Sequence, residues 1–132
     1  MGVKERQERD REQLRGRILD AARELFVAEG YRNVSIRKIA ERVEYSPAAL
    51  YSYFPSKDAV FFALAEEGFR KLFEFTNDPA VTTGDPLSAV RQGFLRYYQF
   101  SRAHREYFEL MFVDRSVPKI SRSTCCSEPE VE

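Results

Sequence analysis

Pro47 and Pro55 bracket a helix that cannot grow. Ser46 before Pro47 supplies a capping hydroxyl followed by a residue suited to the first helical position, which is how helices start. Phe54 before Pro55 is pushed to extended backbone, which is how they stop. This short helix follows closely on another. Ser35 caps a run whose inward face is Ile36, Ile39, Ala40 and Val43, and only a turn at roughly 43–46 separates the two. Upstream, Leu14, Ile18, Ala22, Leu25 and Phe26 recur at helical spacing and form a platform, closed by Gly30 as a carboxyl cap. Ile39, Ala40, Val43, Leu50 and Phe54 are expected to lock the helix pair on it.

The rest of the chain follows the same period. Ser56 caps a long fourth helix with Val60, Phe61, Leu64, Phe69, Leu72 and Phe73 at its apolar positions, stopped by Asn77-Asp78-Pro79. Residues 77–85 read as a surface loop. Asp85-Pro86 repeats the cap-plus-proline start for a fifth helix to about Arg102, and a sixth covers about Arg105 to Val113. No alternating strand pattern occurs, so the expected class is all-α. Four segments follow: a charged amino-terminal arm at 1–13, either frayed or an extension of the first helix, a helix-turn-helix domain at 14–58, a partial helical regulatory domain at 59–113 and an irregular tail at 114–132, where Ser, Pro and acidic residues accumulate and periodicity ends.

Composition removes several classes of function. Eleven Phe and seven Tyr give ample core material. No apolar run is long enough to span a membrane, and the charged start has no signal-peptide segment, so a cytoplasmic location is expected. Cys125 and Cys126, adjacent, offer neither a disulfide framework nor metal-ligand spacing. His104 is the single histidine, the carboxylates are scattered, and there is no Gly-rich phosphate loop, so neither enzyme chemistry nor a cofactor is expected. Net charge is zero, with residues 1–60 at +2 and 61–132 at −2. Bulk charge therefore supports nucleic-acid binding only weakly, and the case rests on where particular side chains sit.

Three short helices with a tight turn between the second and third are the geometry that presents a helix to the DNA major groove. The outward face of the third is Pro47, Ala48, Ala49, Tyr51 and Tyr53. Ala48 and Ala49 are small enough to approach base edges and touch thymine methyls. Tyr51 and Tyr53 carry hydroxyls suited to phosphate. Ser35 and Ser46 either bind phosphate at helix amino termini or act only as caps. Arg37 has the fork for a guanine, and Lys57 adds a point charge for phosphate; on a solvated face either residue would mean nothing alone.

The stretch Ile18 to Leu64 resembles the DNA-binding domain of TetR/AcrR-family regulators nearly end to end. The matching elements are AARELFVAEGY, SIRKIAERV and SPAALYSYFPSKDA, in that order. The resemblance implies DNA contacts at Ser35, Arg37, Ser46, Pro47, Ala48, Ala49, Tyr51, Tyr53 and Lys57. One position departs from the pattern: Glu44 stands in the turn where the family usually has Gly, at a cost of about 1 kcal/mol if its φ is positive.

In the family, the later helices bind a small effector and dimerise, and effector binding moves the fourth helix and releases the operator. By resemblance the chain is a ligand-responsive repressor binding double-stranded operator DNA. Phe94, Tyr97, Tyr98, Tyr107, Phe108 and Met111 are the candidates to line a pocket for an apolar or aromatic effector; at helical spacing they serve equally as ordinary core. The resemblance fades after about Ile120, leaving no counterpart of the two long helices through which the family forms homodimers. The alternatives are a truncated member with weak DNA binding, or a helical module that binds protein.

Overall fold

A computed structural model describes residues 2–77 and 84–119. Every regular element among them is helical: α1 Val3–Glu29, α2 Ile36–Val43, α3 Pro47–Tyr51, α4 Lys57–Thr76, α5 Pro86–Ala103 and α6 Arg105–Phe108, the last continuing as a π-helical stretch, Glu109–Val113. The serine caps act as expected. Ser35, Ser46 and Ser56 accept from the amides of Lys38, Ala49 and Ala59, each at 3.1 Å. Asp85 does not, since its side chain makes no cap bond and Pro86 alone marks the start of α5.

Gly30 ends α1 at φ 85°, its amide donating to Phe26 O at 3.0 Å; this backbone is open to glycine and strained for most residues. A short 3₁₀ turn, Tyr31–Asn33, then leads to α2. The expected inward face of α2 is buried in full, together with Leu50 of α3 and Phe54 beyond it. They pack on Ile18, Ala22, Leu25 and Phe26 of α1 as one cluster.

That cluster does not stop at residue 58. Val60, Phe61 and Leu64 of α4, Phe100 of α5 and Tyr107 and Leu110 beyond it belong to the same buried set. The three-helix head and the helices after it therefore share one core. Residues 3–13 are helical and continuous with α1, the extension of the first helix rather than a frayed arm. One further departure is visible: the sixth helix loosens to π geometry at Glu109. Of the expected loop at 77–85, residues 78–83 lie outside the described residues. So does 120–132 of the expected tail, with both cysteines, while 114–119 is non-helical.

Candidate nucleic-acid interface

Ser46 and Pro47 start α3, and the turn before it fixes the direction α3 takes. Glu44 occupies the left-handed region at φ 62°, ψ 38°, and is the sole non-glycine residue with positive φ among those described. Its amide donates to Glu41 O and the Tyr45 amide to Ala40 O, closing α2 in the manner a glycine usually serves. The outer face of α3 then carries Pro47, Ala48 and Tyr51, all exposed, with Ala49 half-buried. Tyr51 is 53% exposed.

Tyr53 is placed differently from the expectation. It lies beyond the end of α3, its amide turned back to Leu50 O at 2.9 Å, so helical spacing no longer sets its direction. The ring packs half-buried against the core, with the Arg11 guanidinium 4.7 Å from its centroid. Ser35, which caps α2, and Arg37 within its first turn are both exposed. Lys38 beside them pairs with Glu29 at 2.6 Å, and Arg42 with Glu24 at 3.0 Å, tying α2 to α1.

Lys57 is not a free point charge. Its ammonium donates to Tyr31 O at 2.8 Å and sits 4.1 Å from the Tyr31 ring centroid. Tyr31 in turn donates its hydroxyl to Asp58, and burial together with that carboxylate holds the phenol well above its ordinary pKa. The Gly-Tyr and Ser-Lys-Asp parts of the sequence thus meet in one cluster that joins the end of α1 to the start of α4.

Sequence reasoning missed the arginines of α1. Arg17 donates to Val43 O and Arg11 to Ser52 O, each at 3.4 Å, and Arg15 stacks 5.3 Å from Phe54. Their one sequence signal is position, on the flanks of the Leu14–Ile18–Ala22 stripe.

In the later helices, the six effector-pocket candidates do not converge. Tyr97 meets Phe108 at 5.6 Å between centroids, and Tyr107 is buried against α1 and α4. Phe94, 71% exposed, and Tyr98 stand on the outer face of α5, because no described helix covers it. A groove of about 520 Å³ does open between α1, α4 and the α5–α6 junction, lined by Asp20, Arg23, Glu67, Lys71, His104 and Tyr107. Its walls are polar. His104 is half-buried there against Phe75 and Phe100, and burial, then Lys71 and Arg23, lower its pKa.

No helix among the described residues is long and apolar enough to cross a membrane, and no group of His, Cys, Asp or Glu among them is arranged to hold a metal.

The sequence profile of the bacterial regulatory proteins of the tetR family matches residues 18–64. The chain is 25% identical over 111 residues to the uncharacterized HTH-type transcriptional regulator YuxN of Bacillus subtilis strain 168, covering 84% of this chain and 38% of YuxN. It is 28% identical over 102 residues to the HTH-type transcriptional activator FasR of Mycolicibacterium smegmatis, covering 77% and 47%. The crystal structure of the TetR-family regulator PfmR from Thermus thermophilus superposes with a TM-score of 0.64 at 25% identity, covering 76% of this chain and 56% of that one. The chain spans less than half the length of these two curated relatives. Residues 18–64, which hold the capped helix α3 and most of the platform beneath it, are thus similar to the bacterial regulatory proteins of the tetR family.

Proposed function

We propose that the chain is a sequence-specific DNA-binding transcriptional regulator that reads a duplex operator through α3. The observation that carries this reading is the exposed face of α3, where Ala48 and Tyr51 project from a helix whose opposite side, Leu50, is 1% exposed. A rigidly seated helix with small residues beside a hydroxyl-bearing aromatic fits a major groove. Alanine allows close approach, and the phenol reaches phosphate. Arg37, Ser35 and Ser46 extend the contact, and Lys57 adds charge at its edge. Such a protein acts in the cytoplasm, where the cell's DNA lies, and does its work by binding, without catalysis.

The finer reading is a repressor that a small apolar or aromatic effector releases from its operator. It works as a homodimer, since a two-fold operator needs two correctly spaced heads. One fact supports this: head and later helices share one core, so a shift of α4 or α6 is felt at the platform.

The test is selection of duplexes from a random-sequence pool by the full chain, followed by binding titrations with the selected sequence. Enrichment of one motif, weakened by Arg37→Ala and by Tyr51→Phe, is the expected outcome. Failure to enrich any motif, or binding indifferent to both substitutions, overturns the assignment. Protein binding nearly independent of salt in its place moves the function to a helical interaction module.

A further inference from the structure

The reading helix has five residues, too few to hold its own orientation, and its carboxyl end is met by a side chain from far away in the sequence. Arg11 donates to Ser52 O, the carbonyl just past α3, and stacks on Tyr53. Arg17 makes the equivalent arrangement at the end of α2: it donates to Val43 O and lies 6.0 Å from the Tyr45 ring. Arg15 stacks on Phe54. Consecutive residues of an α-helix are about 100° apart around its axis, so Arg15 and Arg17 flank the apolar stripe on opposite sides. The platform helix thus grips the helix pair on both sides with cations, each at a helix end where carbonyls concentrate negative potential.

We propose that Arg11 and Arg17 are positioning residues for DNA reading: they set the orientation of α3 from α1, and the amino-terminal part of α1 belongs to the reading head. This rests on the DNA-binding reading of α3. The two hydrogen bonds are long, so orientation comes from the planar guanidinium acting twice, on a carbonyl and on an aromatic face. Lysine offers a point charge without that plane. The segment before Leu14 then has a structural reason to be helical although it carries no apolar stripe, because Arg11 must arrive beside Ser52 at a fixed register.

The experiment compares the full chain with Arg11→Gln, Arg17→Gln and the double variant, by amide hydrogen exchange and by duplex binding. The expected result is exchange about tenfold faster across residues 46–54, with residues 18–29 and 57–76 unchanged. Alongside it, preference for the selected duplex over a scrambled one falls at least about fivefold while the salt slope holds within about half a unit, because no phosphate contact is lost. Unchanged exchange at 46–54 overturns the proposal, as does faster exchange everywhere, which marks general stabilisation. A slope lower by about one unit per arginine with preference intact also overturns it, making them phosphate contacts. If the parent selects no duplex, the reading of α3 fails, while exchange still decides whether the arginines fix it.

Discussion

Arg23 Nη1 donates to the Tyr107 hydroxyl at 2.9 Å, and its guanidinium carbon lies 4.9 Å from the centre of the same ring. The two residues come from α1 of the three-helix head and α6 of the later helices. Arg23 Nε donates to Glu106 at 2.9 Å, and Asp20 receives a third bond at 3.0 Å. Burial works against the charge of Arg23, but Glu106, Tyr107 and Asp20 together outweigh it and the guanidinium is held above its ordinary pKa. This side chain, 20% exposed, is the principal polar joint between the two halves of the molecule.

Removing the joint is expected to cost more than removing one of its bonds. Tyr107→Phe keeps the ring under the guanidinium and loses one hydroxyl, at about 1 kcal/mol. Arg23→Ala loses three bonds and the stacking contact. Glu106 and Asp20 are exposed enough to hydrate, which limits the loss to about 2 kcal/mol. Urea unfolding of the two variants and the double variant should give a coupling of at least about 0.5 kcal/mol. Additive effects would show that the bond between Arg23 and the Tyr107 hydroxyl contributes nothing on its own.

Acid should loosen the same joint. His104 sits in the groove beside Arg23, Lys71, Glu67 and Glu106, and its pKa is lowered by burial first and by the two cations second. The unfolded chain takes up the proton near pH 6.5 and the folded one at lower pH. Stability is therefore complete above about pH 6.5 and declines as pH falls below it toward the folded value. At the alkaline end, burial pushes the Tyr107 hydroxyl up to about 12, partly opposed by Arg23, so stability should also decline as pH rises above about 10. Urea midpoints from about pH 8 to about pH 5 should fall in the parent and fall less in His104→Asn. Equal slopes in both proteins would remove His104 as the source.

Glu44 offers a gain. An L-residue at φ 62° is held in the left-handed region at about 1 kcal/mol, and glycine carries no such penalty. Glu44→Gly is expected to raise stability by about 0.5–1 kcal/mol, read from urea midpoints. A loss of stability would mean that the Glu44 side chain makes a contact worth more than the strain.

Much of this architecture was legible in the sequence, for local reasons. Ser35, Ser46 and Ser56 cap because a hydroxyl three residues before a free amide is a local arrangement, and Pro47 and Pro55 limit α3 by their own rings. Ile36, Ile39, Ala40 and Val43 share one face at a period the eye can count. What stayed hidden is set over distance. Arg11 meets Ser52 and Arg23 meets Tyr107 across long stretches of chain, and a charged residue on a helix flank looks the same whether it ends on water or on a carbonyl. For residues 3–13 the sequence left a frayed arm and a helix extension open; they lack an apolar stripe but contain no breaker once α1 is nucleated, so the helix propagates. The outward reading of Tyr53 failed because α3 stops two residues before it. The six aromatic candidates spread apart because Phe94 and Tyr98 stand on the face of α5 that no described helix covers.

Gly68 of α4 leaves room for side chains of α6 and the π stretch that follows it. A Cβ there would stand 2.5 Å from Met111 Sδ and 3.2 Å from Tyr107 Cδ1. Glycine inside a helix costs about 1 kcal/mol relative to alanine, so its presence is explained by this packing. Gly68→Val should destabilise by about 2 kcal/mol, and Met111→Ala in that background should recover part of the loss by opening the space. No recovery would place the obstruction at Tyr107.

Two substitutions at the interface separate folding from reading. Lys57→Met keeps the aliphatic stem and removes both the bond to Tyr31 O and the cation over its ring, which should cost about 1–2 kcal/mol of stability. If the same ammonium serves a phosphate, the salt slope for duplex binding also falls by about one unit. Tyr51→Phe acts in the opposite way. Its hydroxyl has no bond within the described structure that stability depends on, and the ring is 53% exposed, so urea midpoints should stay within about 0.5 kcal/mol of the parent. Loss of a neutral donor to phosphate should weaken duplex binding about fivefold, near 1 kcal/mol, and leave the salt slope unchanged because no counterion is released in its place. Titrations at several salt concentrations, with unfolding curves on the same preparations, decide both cases. A Tyr51→Phe protein that binds as tightly as the parent would remove this hydroxyl from the interface and leave α3 to read through Ala48 and its neighbours alone.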